Sequence, residues 1–127
     1  MITVCTGSVE YHHVEAVLGD TVIMPCMSTP STDVMWIQNR TDGKFNRVYE
    51  NGTIKGYHNI RVLFSVVNAR TGDYSLRIDK VDPAYSGLYD CYDSNRRRII
   101  GHYLIVEGKL FSILETLQFN PCKITRI

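Results

Sequence analysis

Short runs rich in Val, Ile, Tyr and Leu alternate with turn clusters at intervals of about 8 to 12 residues, a rhythm that fits an all-β sandwich or barrel. The runs cover residues 21–26, 34–38, 45–49, 53–57, 61–67, 74–78, 88–93 and 99–106. Turn-forming residues separate them: Leu18-Gly19-Asp20, Pro30, Asp42-Gly43, Asn51-Gly52, Arg70-Thr71-Gly72-Asp73, Asp82-Pro83 and Ser94-Asn95. Successive side chains of a strand point to opposite faces, so Val22, Met24 and Cys26 share one side and Thr21, Ile23 and Pro25 the other. Asn51-Gly52 is the strongest two-residue hairpin signal in the chain. Helical periodicity is nearly absent and no internal repeat occurs.

The chain has 127 residues, a length that favours one domain able to bury about two thirds of its unfolded surface. Fourteen Lys and Arg offset 13 Asp and Glu, which argues against nucleic-acid binding driven by bulk charge. No apolar run approaches the roughly 20 residues of a membrane span, so no membrane contact by this segment is expected. Met1-Ile2-Thr3-Val4 lacks a basic stretch followed by an apolar one, and the sequence reads as one from which any secretory signal has already been removed. Cys5, Cys26, Cys91 and Cys122 form no C-x-x-C pair and have no His at ligand spacing, leaving disulfides or free thiols ahead of zinc. Asn39-Arg40-Thr41 and Asn51-Gly52-Thr53 satisfy the N-glycosylation rule, which agrees with a secreted or cell-surface location.

Cys26 and Cys91 lie 65 positions apart, with Trp36 ten residues after the first and Tyr89 two before the second, in Tyr85-Ser86-Gly87-Leu88-Tyr89-Asp90-Cys91. This set resembles the immunoglobulin variable-type domain, over about residues 8–107. The resemblance implies a β-sandwich of two antiparallel sheets with Greek-key connections. It also implies a Cys26–Cys91 disulfide between the sheets, Trp36 packed over it, and a Tyr89 hydroxyl returning to backbone at the E-to-F corner. Closing so long a loop stabilises a fold by about 4 kcal/mol in the chain-entropy account. The interval between Trp36 and Cys91 leaves room for strands C′ and C″, hence nine strands rather than seven. Where the family places an Asp to pair with the strand-D Arg, here Arg61, this chain has Tyr85, and Asp82 is the substitute partner considered. Strand G lacks the Phe-Gly-x-Gly bulge of rearranged antigen receptors, which argues against an antibody or T-cell-receptor chain. The pattern is similar to variable-type ectodomains of vertebrate immune receptors, including those of fish, and of butyrophilin-like and nectin-like proteins.

Function on such a sandwich is carried by its surface. With Val34 and Trp36 inward, Met35, Ile37 and Asn39 are expected outward on strand C. With Val48 inward, Phe45, Arg47 and Tyr49 are expected outward on C′, and by the same alternation Asp90, Tyr92, Tyr103 and Ile105 on F and G. Met35, Ile37, Phe45, Tyr49, Tyr92 and Tyr103 would then form one apolar and aromatic surface, the composition of an interface core. Arg96-Arg97-Arg98 is assigned to the F-to-G turn, where it would pair with carboxylates or sulfates of a partner or stand as a solvated loop.

His12, His13, His58 and His102 make no metal or catalytic constellation by spacing, and no nucleophile elbow, P-loop or dinucleotide fingerprint is present, so no enzyme and no cofactor is expected. The leading expectation is an extracellular recognition domain of an immune receptor or its ligand, binding a protein partner through the GFCC′ sheet. Its rivals are a homophilic adhesion module dimerising through the same face and a soluble module binding anionic glycans through Arg96–Arg98. Residues 108–127 are expected to be an extension of the 1–107 domain or the start of a following segment, covering the apolar face in one version. Cys5 and Cys122 are expected to pair with each other, with free thiols or a cross-link between two chains as the alternatives.

Overall fold

The computed structural model describes residues 10–39, 44–55 and 63–108. The Cys5–Cys122 pairing, Arg61, His58 and the tail from residue 109 therefore lie outside the described residues. Among the described residues there are nine strands: β1 (His12–Val17), β2 (Val22–Met24), β3 (Met35–Asn39), β4 (Phe45–Glu50), β5 (Thr53–Ile54), β6 (Phe64–Asn68), β7 (Asp73–Ile78), β8 (Gly87–Tyr92) and β9 (Arg98–Glu107). They form a six-stranded sheet in the order β1-β9-β8-β3-β4-β5 and a three-stranded sheet in the order β2-β7-β6. The expected all-β, two-sheet immunoglobulin-like sandwich is the fold the chain adopts. Strand β1, which the hydrophobic pattern does not single out, joins the large sheet by running parallel to β9.

The core lies between the sheets and follows the alternation read from the sequence. Val22 and Met24 of β2 and Cys26 just beyond it face inward beside Tyr74, Leu76 and Ile78 of β7 in the same sheet, and share the core with Trp36, Tyr89, Leu104 and Val106 of the large sheet. A disulfide joins Cys26 to Cys91. The indole Nε1 of Trp36, fully buried, donates to the Tyr74 carbonyl at 2.7 Å, which satisfies the one polar atom the ring brings inside. The Tyr89 hydroxyl donates to the Tyr85 carbonyl and accepts from Gln38 Nε2 at 3.0 Å. Asp82 caps the short 3-10 turn Pro83–Tyr85 by accepting from the Ala84 amide at 2.9 Å.

Two β-bulges change which side chains reach the outer face of the large sheet. Between β3 and β4, Trp36 opposes Tyr49 while Ile37 opposes Arg47, so Val48 is an extra residue. One inserted residue reverses the alternation beyond it, and Val48 and Tyr49 both join the core, Tyr49 at 6% exposure. The outward placement of Tyr49 expected from strict alternation is thereby corrected. Between β8 and β9, Cys91 opposes Ile100 but Tyr92 opposes Arg98, with Ile99 as the extra residue. Arg98 is consequently the first residue of β9 and stands beside Tyr92 on the sheet, not in the turn to which the sequence assigned it.

The turns carry the expected chemistry at two positions. Asn51 and Gly52 connect β4 to β5 with φ of 54° and 76°, the left-handed pair that an Asn-Gly hairpin requires. Gly72 precedes β7 with φ of 87°, and a Cβ there would lie 2.4 Å from the Ser28 carbonyl oxygen, so both backbone conformation and space demand glycine.

Candidate functional site

The register of the large sheet arranges its outer side chains in rows. Gly101, Asp90, Ile37 and Arg47 are successive Cα partners across β9, β8, β3 and β4. The next row is His13, Tyr103, Leu88, Asn39 and Phe45, and the other neighbour is Arg98, Tyr92 and Met35. The face divides into a closed half on β1, β9 and β8 as far as Asp90, and an open half on β3 and β4 together with Tyr92 at the end of β8.

In the closed half, Leu88, Tyr103 and Ile105 form a second buried cluster with Tyr11 packed against it, and the His13 ring meets the Tyr103 ring edge-on at 5.4 Å. Tyr103 does point outward, yet it is only 3% exposed, so it belongs to this cluster and not to an accessible patch. Burial pushes its phenol up to about 12. Asp90, 2% exposed, is the polar centre: Arg98 Nε donates to its Oδ1 at 2.7 Å, and the Tyr11 hydroxyl and Asn39 Nδ2 donate to Oδ2 at 2.9 and 3.2 Å. The Arg98 guanidinium also lies over the Tyr11 ring, 4.8 Å from its centre, and donates through Nη2 to the Glu10 carbonyl at 2.6 Å. Burial, and then the Asp90 charge and hydrogen bond, hold the Tyr11 phenol well above its ordinary range. Gly101 makes room for this assembly, since a Cβ there would stand 2.0 Å from Arg98 Nη2 and 2.6 Å from Asp90 Oδ1.

Strand alternation puts Asp90 on the outer face but gives no sign of this network, and nothing in the local pattern marks Tyr11. The signal that points to it is the glycine inside the apolar run of β9, because such a residue marks a close approach.

In the open half, Phe45 is 60% exposed, Ile37 and Tyr92 are half-buried, and Arg47 is exposed with its Nη1 2.9 Å from Glu50 Oε2. Burial, followed by the Asp90 charge, raises the Tyr92 phenol. Met35 also departs from expectation: it is 8% exposed and sits beneath the Arg96 guanidinium, Nη1 to Sδ 4.0 Å. The expected six-residue apolar surface therefore reduces to Phe45, Ile37 and Tyr92.

Beyond Tyr92 the chain turns tightly. Asp93 Oδ1 accepts from the Asn95 and Arg97 amides at 2.8 and 2.9 Å, and Arg96 takes a left-handed φ of 64°. Arg96 and Arg97 are exposed there. At the same end, Asp33, Val34, Met35, Glu50, Asn51, Asp93, Ser94 and Arg96 line a shallow cleft of about 100 Å³. On the inner side, His102 stacks on Trp36 and its Nε2 donates to the Pro25 carbonyl at 2.8 Å. Among the described residues no group of three or more His, Cys, Asp and Glu side chains is placed to hold a metal ion.

No curated protein matches the chain in sequence. Among solved structures it is similar to the first Ig domain of the mouse polymeric immunoglobulin receptor, at 14% identity over 77% of this chain and 91% of that one, with a TM-score of 0.62. It is similar also to the structure of Dpr1 IG1 bound to DIP-eta IG1, at 20% identity over 76% and 90%, TM-score 0.60. For Tim-1 the figures are 21% identity over 83% and 99%, TM-score 0.61. The immunoglobulin V-set domain family matches residues 9–105, an interval that spans all nine strands but for the last two residues of β9, and the chain belongs to that family.

Proposed function

We propose that this domain is an extracellular or secreted recognition module that binds a protein partner through the open half of its outer sheet face. Phe45, Ile37 and Tyr92 supply the apolar centre, and Arg47, Arg96 and Arg97 the polar rim. The observation that carries this reading is Phe45, an aromatic ring 60% exposed one row along the face from half-buried Ile37 and exposed Arg47, with half-buried Tyr92 on the far side of Ile37. Aromatic and arginine residues around a small apolar centre are the composition of binding hot spots. The Cys26–Cys91 disulfide supports the extracellular placement, since such bonds persist in oxidising compartments. A similar domain, Dpr1 IG1, is bound to a second such domain in its solved structure.

An anionic-glycan site on three consecutive arginines is less favoured, because Arg98 is engaged by Asp90 and the Glu10 carbonyl. The test is capture of Ig-superfamily ectodomains by the immobilised domain, repeated with Phe45→Glu and Tyr92→Glu. Loss of a bound partner by at least tenfold in affinity, with the fold retained, supports the reading; unaltered binding by the folded double variant removes it. Sedimentation of the domain alone tells a separate partner from a second copy.

A further inference from the structure

The asparagines of the two N-glycosylation motifs occupy opposite kinds of site, and we propose that Asn51 carries an N-linked glycan and Asn39 does not. The inference is independent of the docking reading and needs only passage through a glycosylating secretory compartment. In the transfer, the amide Nδ2 attacks the anomeric carbon of a lipid-pyrophosphate-linked oligosaccharide. A carbon–nitrogen bond forms, the anomeric carbon–oxygen bond breaks, the lipid pyrophosphate leaves with the electron pair, and the amide gives up one of its two protons. The folded product must then hold a large hydrated chain in water.

Asn51 meets that requirement. It sits at the tip of the β4–β5 hairpin, and Asn51, Gly52 and Thr53 are all exposed. A Cβ built on Gly52 finds nothing within 4 Å, so the space around the tip is open. The left-handed backbone at both turn residues belongs to the Asn-Gly hairpin.

Asn39 does not meet it. The residue is half-buried on a strand paired on both sides, with Leu88 and Phe45 as its Cα partners. Its Nδ2, the atom that would bear the sugar, lies 3.2 Å from Oδ2 of Asp90, a carboxylate 2% exposed that also holds Tyr11 and Arg98. A sugar ring bonded to that nitrogen would have to share this space. It would either crowd the carboxylate or turn the amide away and leave a buried charge short of a donor, which is costly. A glycan on Asn51 flanks the cleft at the loop end, whose lining includes Asn51, and leaves the middle of the sheet bare.

The test is secretion of the chain from a eukaryotic host, with peptide-N-glycosidase in 18O water marking each occupied Asn by mass. Thr41→Ala and Thr53→Ala abolish one motif each without touching either asparagine. One glycan is expected on the parent chain, mapped to Asn51, lost in Thr53→Ala and retained in Thr41→Ala. A glycan mapped to Asn39, alone or together with Asn51, overturns the proposal, as does a secreted parent chain bearing none.

Discussion

On the β1-β9-β8 side of the outer sheet face large residues are buried, Tyr103 at 3% exposure, whereas on β4 Phe45 stands 60% exposed in the same sheet. Both halves read alike in sequence, as outward positions occupied by aromatic and aliphatic side chains. The difference arises from what each is packed against. Tyr103 has Leu88 and Ile105 around it, with the Tyr11 and His13 rings delivered by the neighbouring segment at β1. Phe45 opens β4, and among the described residues the strand beyond it is the two-residue β5, paired to Tyr49 and Glu50 at the other end. Alternation assigns a side chain to a face; neighbours added from distant sequence decide whether that face is solvated.

The sharpest way to break the contrast is to remove the polar centre of the closed half. Asp90→Ala leaves the Arg98 guanidinium, the Tyr11 hydroxyl and the Asn39 amide without their shared acceptor. Removing one partner of a buried pair is costly because the other stays desolvated. Arg98 keeps some contact with water, which lowers the penalty, and a loss of about 3 kcal/mol is expected in urea unfolding. Adding Arg98→Met should recover part of that loss, since the stranded charge goes with it. A loss below about 1 kcal/mol for Asp90→Ala would mean that the cluster admits water and that the two halves differ less than their exposures indicate.

The legibility of the inner and outer faces of the large sheet in the sequence is uneven for a physical reason. The inner face was readable because each of its markers has a packing role fixed by the sandwich: the Cys26–Cys91 disulfide, the Trp36 indole bonded to Tyr74, and the Tyr89 hydroxyl bonded to Tyr85. The outer face depends on two bulges that alternation does not announce. An extra residue at Val48 moves Tyr49 into the core, and one at Ile99 puts Arg98 on the sheet instead of in the turn. The Asp90 network joins residues 79 positions apart in Tyr11 and Asp90, a separation over which no local pattern reaches.

A second probe uses β9, whose inward residue next to Tyr103 is titratable. Burial lowers the His102 pKa, opposed by the Pro25 hydrogen bond and aided by the His12 and Arg98 charges, while Asp90 acts weakly the other way. The neutral ring is therefore favoured in the folded chain, and its stabilisation is complete above the unfolded value near 6.5. As pH falls below that value the unfolded chain takes up the proton first, and stability declines until the folded-state pKa is passed. His102→Gln keeps a donor for the Pro25 carbonyl but does not titrate. It should flatten the slope of stability against pH between neutrality and moderate acid. An unchanged slope would place the acid sensitivity elsewhere.

The smallest effect belongs to the open half. A surface substitution that touches no buried contact usually shifts stability by no more than about 0.5 kcal/mol, and Phe45→Glu is expected within that range because most of the ring already faces water. The charge would also stand near Arg47, one residue pair along the same face and already bonded to Glu50, so no unpaired burial is created. Equilibrium unfolding of the variant measures this directly. If Phe45→Glu cost more than about 1.5 kcal/mol, the ring would be packing against its own domain and the two halves would be one closed surface. If stability holds, any loss of partner binding in the same variant reports on the face itself, because the fold beneath it has not moved.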